Sequence, residues 1–410
     1  MSERELKVTE LGHRGDGIAQ TETGPVFVAG ALPGETVRAE VVDGRAKKPV
    51  IETRSPDRIE PLCRHIKTCG GCSVQHLAEQ PYLAWKRDLV VKALGDRGIE
   101  TEVGDTIAAT EGGRRRAVLT ATRAGRTPLL GYHEKASHKL VDISECPVLD
   151  PAIVSALPGL KKLAAAVLPK KGELRLTVLA TTAGLDVAID KADKTYDRKI
   201  PALSQMVMEL GFSRLSVNGE VILEVRPPLL DMAGVGIVAA PGGFTQATVA
   251  AEEALSKLVL DGAGKARNVA DLFSGVGTFA LRLARTANVH AVEGDAAALA
   301  AFDKALRKPQ GLKKVTFERR DLSRRPLVRD ELEPFDTVVF DPPRVGAQAQ
   351  AEQLALSKVK TIIAVSCNPA TLARDLRILI DGGYVLQSVT PVDQFHYSPH
   401  IEAVAVLTRE

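Results

Sequence analysis

The chain has 410 residues, 45% hydrophobic and 26% charged, a length that suggests two to three domains and a balance that excludes wholesale disorder. Lys and Arg number 54 against 51 Asp and Glu, so the net charge of +3 neither demands nor excludes a nucleic-acid partner, and 10 Phe, 5 Tyr and one Trp leave little material for broad base-stacking surfaces. No apolar run approaches the ~18 residues of a membrane span and Met1 to Lys7 has no signal-peptide core, so a cytoplasmic protein without membrane contact is expected.

The first 55 or so residues alternate short β-type runs with glycine and proline: Val26 to Val28, a turn through Gly30 to Gly34, then Thr36 to Val42. Closely spaced strands in so short a unit predict a small barrel. The run Arg45-Ala46-Lys47-Lys48 reads as a solvated basic loop that follows it. Residues 81–97 carry apolar residues at Leu83, Leu89, Val90, Val91 and Leu94, the pattern of an amphipathic helix. Residues 110–240 are β-rich and hold two basic stretches, Arg114 to Arg116 and Lys135 to Lys139. From about Asn268 the pattern changes. Strands are predicted over 268–273, 289–292, 337–340 and 361–365, and helices over 278–285, 296–306 and 369–380. That alternation is the signature of a doubly wound parallel sheet, whose ligands sit at the carboxyl ends of its strands.

The chemistry-bearing residues fall at those ends. Asp271 to Gly277 runs from a strand into a glycine-rich turn that opens a helix, where the backbone can approach a ligand closely. The turn is not G-x-G-x-x-G and no phosphate-cradling lysine follows. Glu293 closes the next strand, where it can accept bonds from ribose hydroxyls, and Asp321 follows the third. Together they suit an adenosyl ligand without a phosphate, which points to S-adenosylmethionine; another nucleotide on a plain Rossmann-like turn is the alternative. Asp341 is presented by a turn stiffened with Pro342 and Pro343. Cys367 lies between an apolar strand and a helix, where the helix dipole is expected to favour a nucleophilic thiolate over a buried core thiol. Glu402 enters the last apolar strand, at the expected edge of the sheet, where a carboxylate beside a nucleophilic cysteine makes a sensible general base.

The chain has five cysteines, and without a signal segment they suggest metal or catalytic use rather than disulfides. The spacing Cys63-x5-Cys69-x2-Cys72, with a distant Cys146-Pro147, is closest to iron–sulfur patterns. Zinc and unligated thiols are the alternatives.

These residues resemble the uracil-5 RNA methyltransferase family, most closely its iron–sulfur-containing ribosomal RNA branch, and the likeness spans most of the chain. Gly15 to Ala19 with Gly30 to Glu35 resembles the RNA-binding TRAM barrel, Gly243-Phe244-Thr245-Gln246 a Gly-Phe-x-Gln segment, and Asp341 to Arg344 with Ser366 to Leu376 the catalytic domain. The likeness implies three units: a TRAM/OB-like barrel over 1–58, a mixed, β-rich central domain with a [4Fe-4S] site over 59–240, and a Rossmann-like class I methyltransferase domain over 241–410. It also implies Cys367 as nucleophile and Glu402 as base. Gln246, Phe273, Gly275, Glu293, Asp321 and Asp341 would surround S-adenosylmethionine, Cys63, Cys69, Cys72 and Cys146 would ligate the cluster, and Phe244 would stack on the displaced base. Thr248 and Thr278 stand where the family often has asparagine, and Phe395 to His400 departs from the usual Phe-Pro-x-Thr-x-His. The expected activity is methylation of C5 of a uridine in 23S ribosomal RNA by a monomer. The same chemistry on transfer RNA is the alternative, and a noncatalytic RNA-binding protein is the reading outside the enzyme class.

Overall fold

The computed structural model describes residues 3–110, 112–308 and 311–409. Strands Arg4–Leu11, Gly17–Thr21, Gly24–Val28, Thr36–Val42 and Arg45–Thr53 close into a barrel. Period-two alternation drives it: Leu6, Val8, Ala19, Val26, Val28 and Val37 point inward and are buried. The basic run beginning at Arg45 is a strand and not the expected loop. It pairs antiparallel with Thr36–Val42, and Ala46 and Ile51 pack inward while its lysines face out. Charges on the outer face had masked that alternation. Glu35 is buried behind the barrel, where Arg58 Nε donates to Oε1 (2.6 Å) and Arg58 Nη2 to Oε2 (2.8 Å).

The central sheet runs in the order Glu220–Glu224, Arg214–Val217, Gly184–Asp190, Leu174–Thr181, Arg116–Ala124, Thr127–His133, Leu140–Asp142. Helices Pro151–Val167 and Ile200–Leu210 cover its apolar face. The first has a sequence-encoded start: Pro151 follows Asp150, whose side chain accepts from Ala152 N (2.7 Å).

The third unit is an eight-stranded sheet ordered Val315–Arg319, Asn288–Glu293, Asn268–Leu272, Thr337–Phe340, Thr361–Ser366, Glu402–Thr408, Val385–Asp393, Ile107–Ala108. The first five strands are mutually parallel, as the alternation predicts. The sheet as a whole is mixed, because Glu402–Thr408 runs antiparallel between Thr361–Ser366 and Val385–Asp393. Glu402 therefore opens an interior strand and not an edge, in keeping with a run, Ala403 to Ala405, buried on both faces. The helix expected over 278–285 is confined to Ala280–Leu283, the preceding residues being spent on the glycine turn.

Residues 79–109 lie with this third unit. Helix Glu79–Gly95 buries Val90 and Leu94 in its core, and Ile107–Ala108 extends its sheet at Val392 and Asp393. Lys86 anchors the helix: its Nζ, fully buried, donates to Asp393 Oδ1 (2.8 Å) and to the carbonyl of His400. Tyr82 OH donates to Asp393 Oδ2, and Trp85 Nε1 to Gly12 O (3.3 Å) in the barrel. No helix among the described residues is long and apolar enough to cross a membrane.

Candidate active site

Strand register assembles the site. Thr361–Ser366 runs from Thr361 opposite Thr408 to Ser366 opposite Ala403, so Cys367, just past one strand, and Glu402, at the start of the other, lie at the same end of the pair. The parallel neighbour aligns Phe340 with Ala364, which brings Asp341 to the adjoining strand tip. Cys367 immediately precedes helix Pro369–Asp381, which starts where Asn368 accepts from Ala370 N (3.2 Å). Asn368 Nδ2 also donates to Arg344 O (2.9 Å), tying the cysteine turn to the Asp341 turn.

A cavity of ≈ 540 Å³ opens at these strand ends, beside the point where the strand order reverses between Asn268–Leu272 and Thr337–Phe340. Gln246, Phe273, Gly275, Glu293, Asp321 and Asp341 all line it, together with Phe244, Cys367 and Glu402. The glycine turn is needed for its shape. Gly277 has φ +91°, and a Cβ there would lie 2.3 Å from the ring of Phe302. Phe273 holds φ +59° without being glycine, a strained conformation of the kind that concentrates at functional sites. Glu293 is braced by the turn it serves, accepting from Gly275 N (2.8 Å) through Oε2 and from Asp295 N (2.7 Å) through Oε1. Asp321 is exposed at the rim, and Phe244 is 69% exposed at the mouth.

The electrostatics differ from the expected thiolate. Burial, followed by the charges of Glu402 and Asp341, pushes the Cys367 thiol up to about 11, and Arg344 opposes this only partly. Burial together with the two nearby carboxyls thus outweighs one helix N-terminus. Burial, then Asp341, raises Glu402 to about 8, and burial raises Asp341 to about 7. The site can hold protons on its carboxyls near neutrality.

Several residues around the site carried no recognised sequence signal. Gln394 is buried and touches both Glu402 and Gln246; a lone glutamine after a strand gives no pattern to read. Arg115 and Arg116 belong to a basic stretch to which the sequence assigns no role. Arg116 instead donates to Gly243 O (3.0 Å) and Gly242 O (3.2 Å), and buried Arg115 donates to Gln246 O (3.1 Å) and pairs with Glu252. Together they hold the loop that carries Phe244 and Gln246. Thr248 caps helix Val249–Ala263 by accepting from Ala251 N (3.0 Å), and donates to Ala109 O (2.6 Å).

Cys63, Cys69, Cys72 and Cys146 come together on a second cavity of ≈ 160 Å³, walled by Tyr132 and Ile143. Burial pushes the thiols of Cys69, Cys72 and Cys146 up, Cys72 to about 12. Among the described residues no group of three or more His, Cys, Asp or Glu side chains is placed to hold a metal ion. This loop also contacts the segment that precedes Glu402 in the chain, since Ser73 N (2.7 Å) and Val74 N (3.2 Å) donate to Tyr397 O.

The tRNA (uracil-5-)-methyltransferase family description matches residues 239–410, and the TRAM domain matches 1–48. An RNA methyltransferase of Rhizobium meliloti is 50% identical, with 100% of each chain covered. The 23S rRNA (uracil(1939)-C(5))-methyltransferase of a Shewanella species is 32% identical, over 99% of this chain and 95% of that one. The crystal structure of Pyrococcus abyssi tRNA (uracil-54, C5)-methyltransferase with S-adenosyl-L-homocysteine superposes with a TM-score of 0.77 at 25% identity, covering 99% of this chain and 100% of that one.

Proposed function

This chain belongs to the RNA uracil-5 methyltransferase family, and we propose that it methylates C5 of one uridine in 23S ribosomal RNA through a covalent adduct on Cys367. As a family member it takes its methyl group from S-adenosylmethionine and has an RNA substrate. The observation that supports the mechanism is that Cys367 and Glu402, carried at the same end of two paired strands, line one cavity. That cavity, ≈ 540 Å³, lies within the roughly 300–1,000 Å³ of small-molecule sites, so the donor fits.

When bound, the donor would supply an electrophilic methyl on a sulfonium and leave as the neutral thioether, which keeps the electron pair of the broken S–CH3 bond. Gln246, Phe273, Gly275, Glu293, Asp321 and Asp341 would surround it, with Glu293 and Asp321 as acceptors for its hydroxyls. Uracil C5 is too weak a nucleophile to take the methyl directly. The Cys367 thiolate pair forms a bond to C6, and the displaced C5=C6 π pair moves into a C5–C4–O4 enolate, so that C5 can accept the methyl. Glu402 then takes the C5 proton. The pair left by that proton forms the C5=C6 bond, the C6–S bond breaks, and its electrons return to sulfur. Positive charge in the cavity would favour the ionised forms of Asp341, Glu402 and Cys367 alike, so that Glu402 is free to accept a proton and the Cys367 thiol, its proton lost to solvent, comes down towards its reactive thiolate. The target base must leave its stack to reach the sulfur, and exposed Phe244 is positioned to stack on it.

Cys63, Cys69, Cys72 and Cys146 would hold a [4Fe-4S] cluster. A shared cavity with four thiols and apolar walls supports it, while zinc would need the sulfurs to converge on one point. Such a cluster would supply a rigid cross-link between the 63–72 loop and Cys146, a structural or RNA-positioning role. Iron and sulfide analysis after anaerobic purification should give four of each per chain, whereas one zinc without sulfide would overturn this.

The ribosomal target is supported by the 32% identity to the Shewanella enzyme over nearly the whole chain. Transfer RNA is the second reading, favoured by the shared fold of the Pyrococcus abyssi enzyme. Labelled donor with 23S fragments and tRNA, followed by nucleotide mapping, decides between them. Cys367→Ala should lose transfer but keep donor binding, and Glu402→Gln should trap methylated RNA on the protein in a denaturing gel. Turnover by Cys367→Ala would refute the nucleophile.

A further inference from the structure

An unbroken chain of side-chain hydrogen bonds crosses the buried floor of the cavity. Gln394 is 2% exposed and Gln246 3%. Ala247 N donates to Gln394 Oε1 (2.8 Å), and a backbone N–H can only meet the oxygen of that amide. Gln394 Nε2 must therefore face the other way, and it donates to both Glu402 Oε1 (2.8 Å) and Gln246 Oε1 (2.8 Å). That in turn fixes the second amide, whose Nε2 donates to Asp341 Oδ2 (3.3 Å). Both protons of Gln394 Nε2 are used, so neither amide can flip without losing several bonds at once. Glu402 is left with one oxygen held and the other, Oε2, buried and without a partner.

Gln394 is itself held firmly. It follows Asp393, which is anchored to Lys86 and Tyr82, and the strand ending at Asp393 pairs Val392 with Glu402. The amide approaches the base from the strand on one side, while Cys367 approaches from the strand on the other.

We propose that Gln394 is a positioning residue of the methyl transfer: it holds Glu402 by Oε1 so that Oε2 alone is aimed at the C5 proton, and it turns Gln246 towards the donor. This rests on Glu402 being the base. Removing the amide leaves Glu402 Oε1 and Gln246 Oε1 without donors inside a dry site. It lets the carboxyl rotate away from the adduct, which slows proton removal while leaving sulfur addition and methylation in place.

The test is Gln394→Met, similar in length but without a donor, together with Gln394→Glu, which matches the amide in shape. Labelled 23S RNA fragments and donor are followed on denaturing gels beside wild type and Glu402→Gln. Gln394→Met should release product more slowly, on the order of 10²-fold for a misplaced catalytic group, and should accumulate the methylated covalent adduct as Glu402→Gln does, with a raised KM for the donor. Its pH–rate profile should move to higher pH, because Glu402, still faced by Asp341, Cys367 and Arg344, loses its neutral donor. Gln394→Glu can donate only while protonated, so its product release should follow the wild-type rise with pH until the new carboxyl ionises and should fall beyond that point. A variant that merely packs badly would lose adduct formation and product release together, without these pH signatures, and that result overturns the proposal. So does wild-type release by both variants. Failure of Glu402→Gln itself to accumulate adduct would refute the base, whereas its success alongside normal release by the Gln394 variants would refute only the positioning role.

Discussion

Replacing Lys86 with methionine is expected to cost the protein about 3 kcal/mol of stability. Both side chains of the Lys86–Asp393 pair are 0% exposed, so the change leaves a carboxylate in the interior without its cation. Removing one partner of such a pair typically costs about 3–5 kcal/mol. The low end applies because Asp393 keeps Tyr82 OH and Phe395 N (3.2 Å) as donors. The carbonyls of Phe395 and His400 also lose the ammonium. Urea titration reads the loss directly, using the fluorescence of Trp85, the single tryptophan, one residue away on the same helix. Lys86→Met combined with Asp393→Leu removes both charges and should be less destabilised than the sum of the single variants. A loss under about 1 kcal/mol for Lys86→Met, or strict additivity in the pair, would show that the buried ions are not coupled as described.

Glu402 keeps its proton in the folded protein up to about pH 8, whereas an unfolded chain releases it near the ordinary ~4.3. The folded state thus binds the extra proton in between, so this group's stabilisation is full below that window and is lost as pH rises through it, with Asp341 acting in the same direction. Melting temperature should fall across the window, and less steeply in Glu402→Gln; equal slopes would contradict the assignment. Gly277→Ala forces a Cβ to 2.3 Å from Phe302 and a side chain onto φ +91°, so overpacking of about 1–3 kcal/mol plus backbone strain of about 1–2 kcal/mol should appear in melts, together with weaker donor binding by calorimetry. Arg116→Met removes charge-assisted bonds worth about 1.5–3 kcal/mol from the loop at Gly242 and Gly243, and KM for donor and RNA should rise about tenfold or more. Unchanged KM values would mean that the loop holds itself.

Local chemistry made the site legible where a residue's role depends on its own strand end. The glycine turn, the Asp341 turn, Glu293, Cys367 and Glu402 were each placed by a motif on a predicted strand, and all line the cavity. What the sequence could not convey is non-local. The antiparallel insertion of Glu402–Thr408 depends on which strands it meets, and the thiol of Cys367 on carboxyls brought from two other strands. Lys86 looks like an ordinary charge on a helix until the chain at Asp393 folds over it. Arg115 and Arg116 gave only a basic stretch because their partners, Glu252 and the 242–246 loop, lie more than 120 residues further along the chain.

The joint between Lys86 and Asp393 links residues 307 positions apart. During synthesis the helix Glu79–Gly95 and the short strand Ile107–Ala108 must wait for nearly the whole remaining chain before they find their seats. A contact that distant is slow to close. The barrel and the central sheet can mature early on the nascent chain, while the methylating sheet is sealed last. A fragment beginning at residue 239 would lack these two pieces and leave Val385–Asp393 as a bare edge, open to strand pairing between copies.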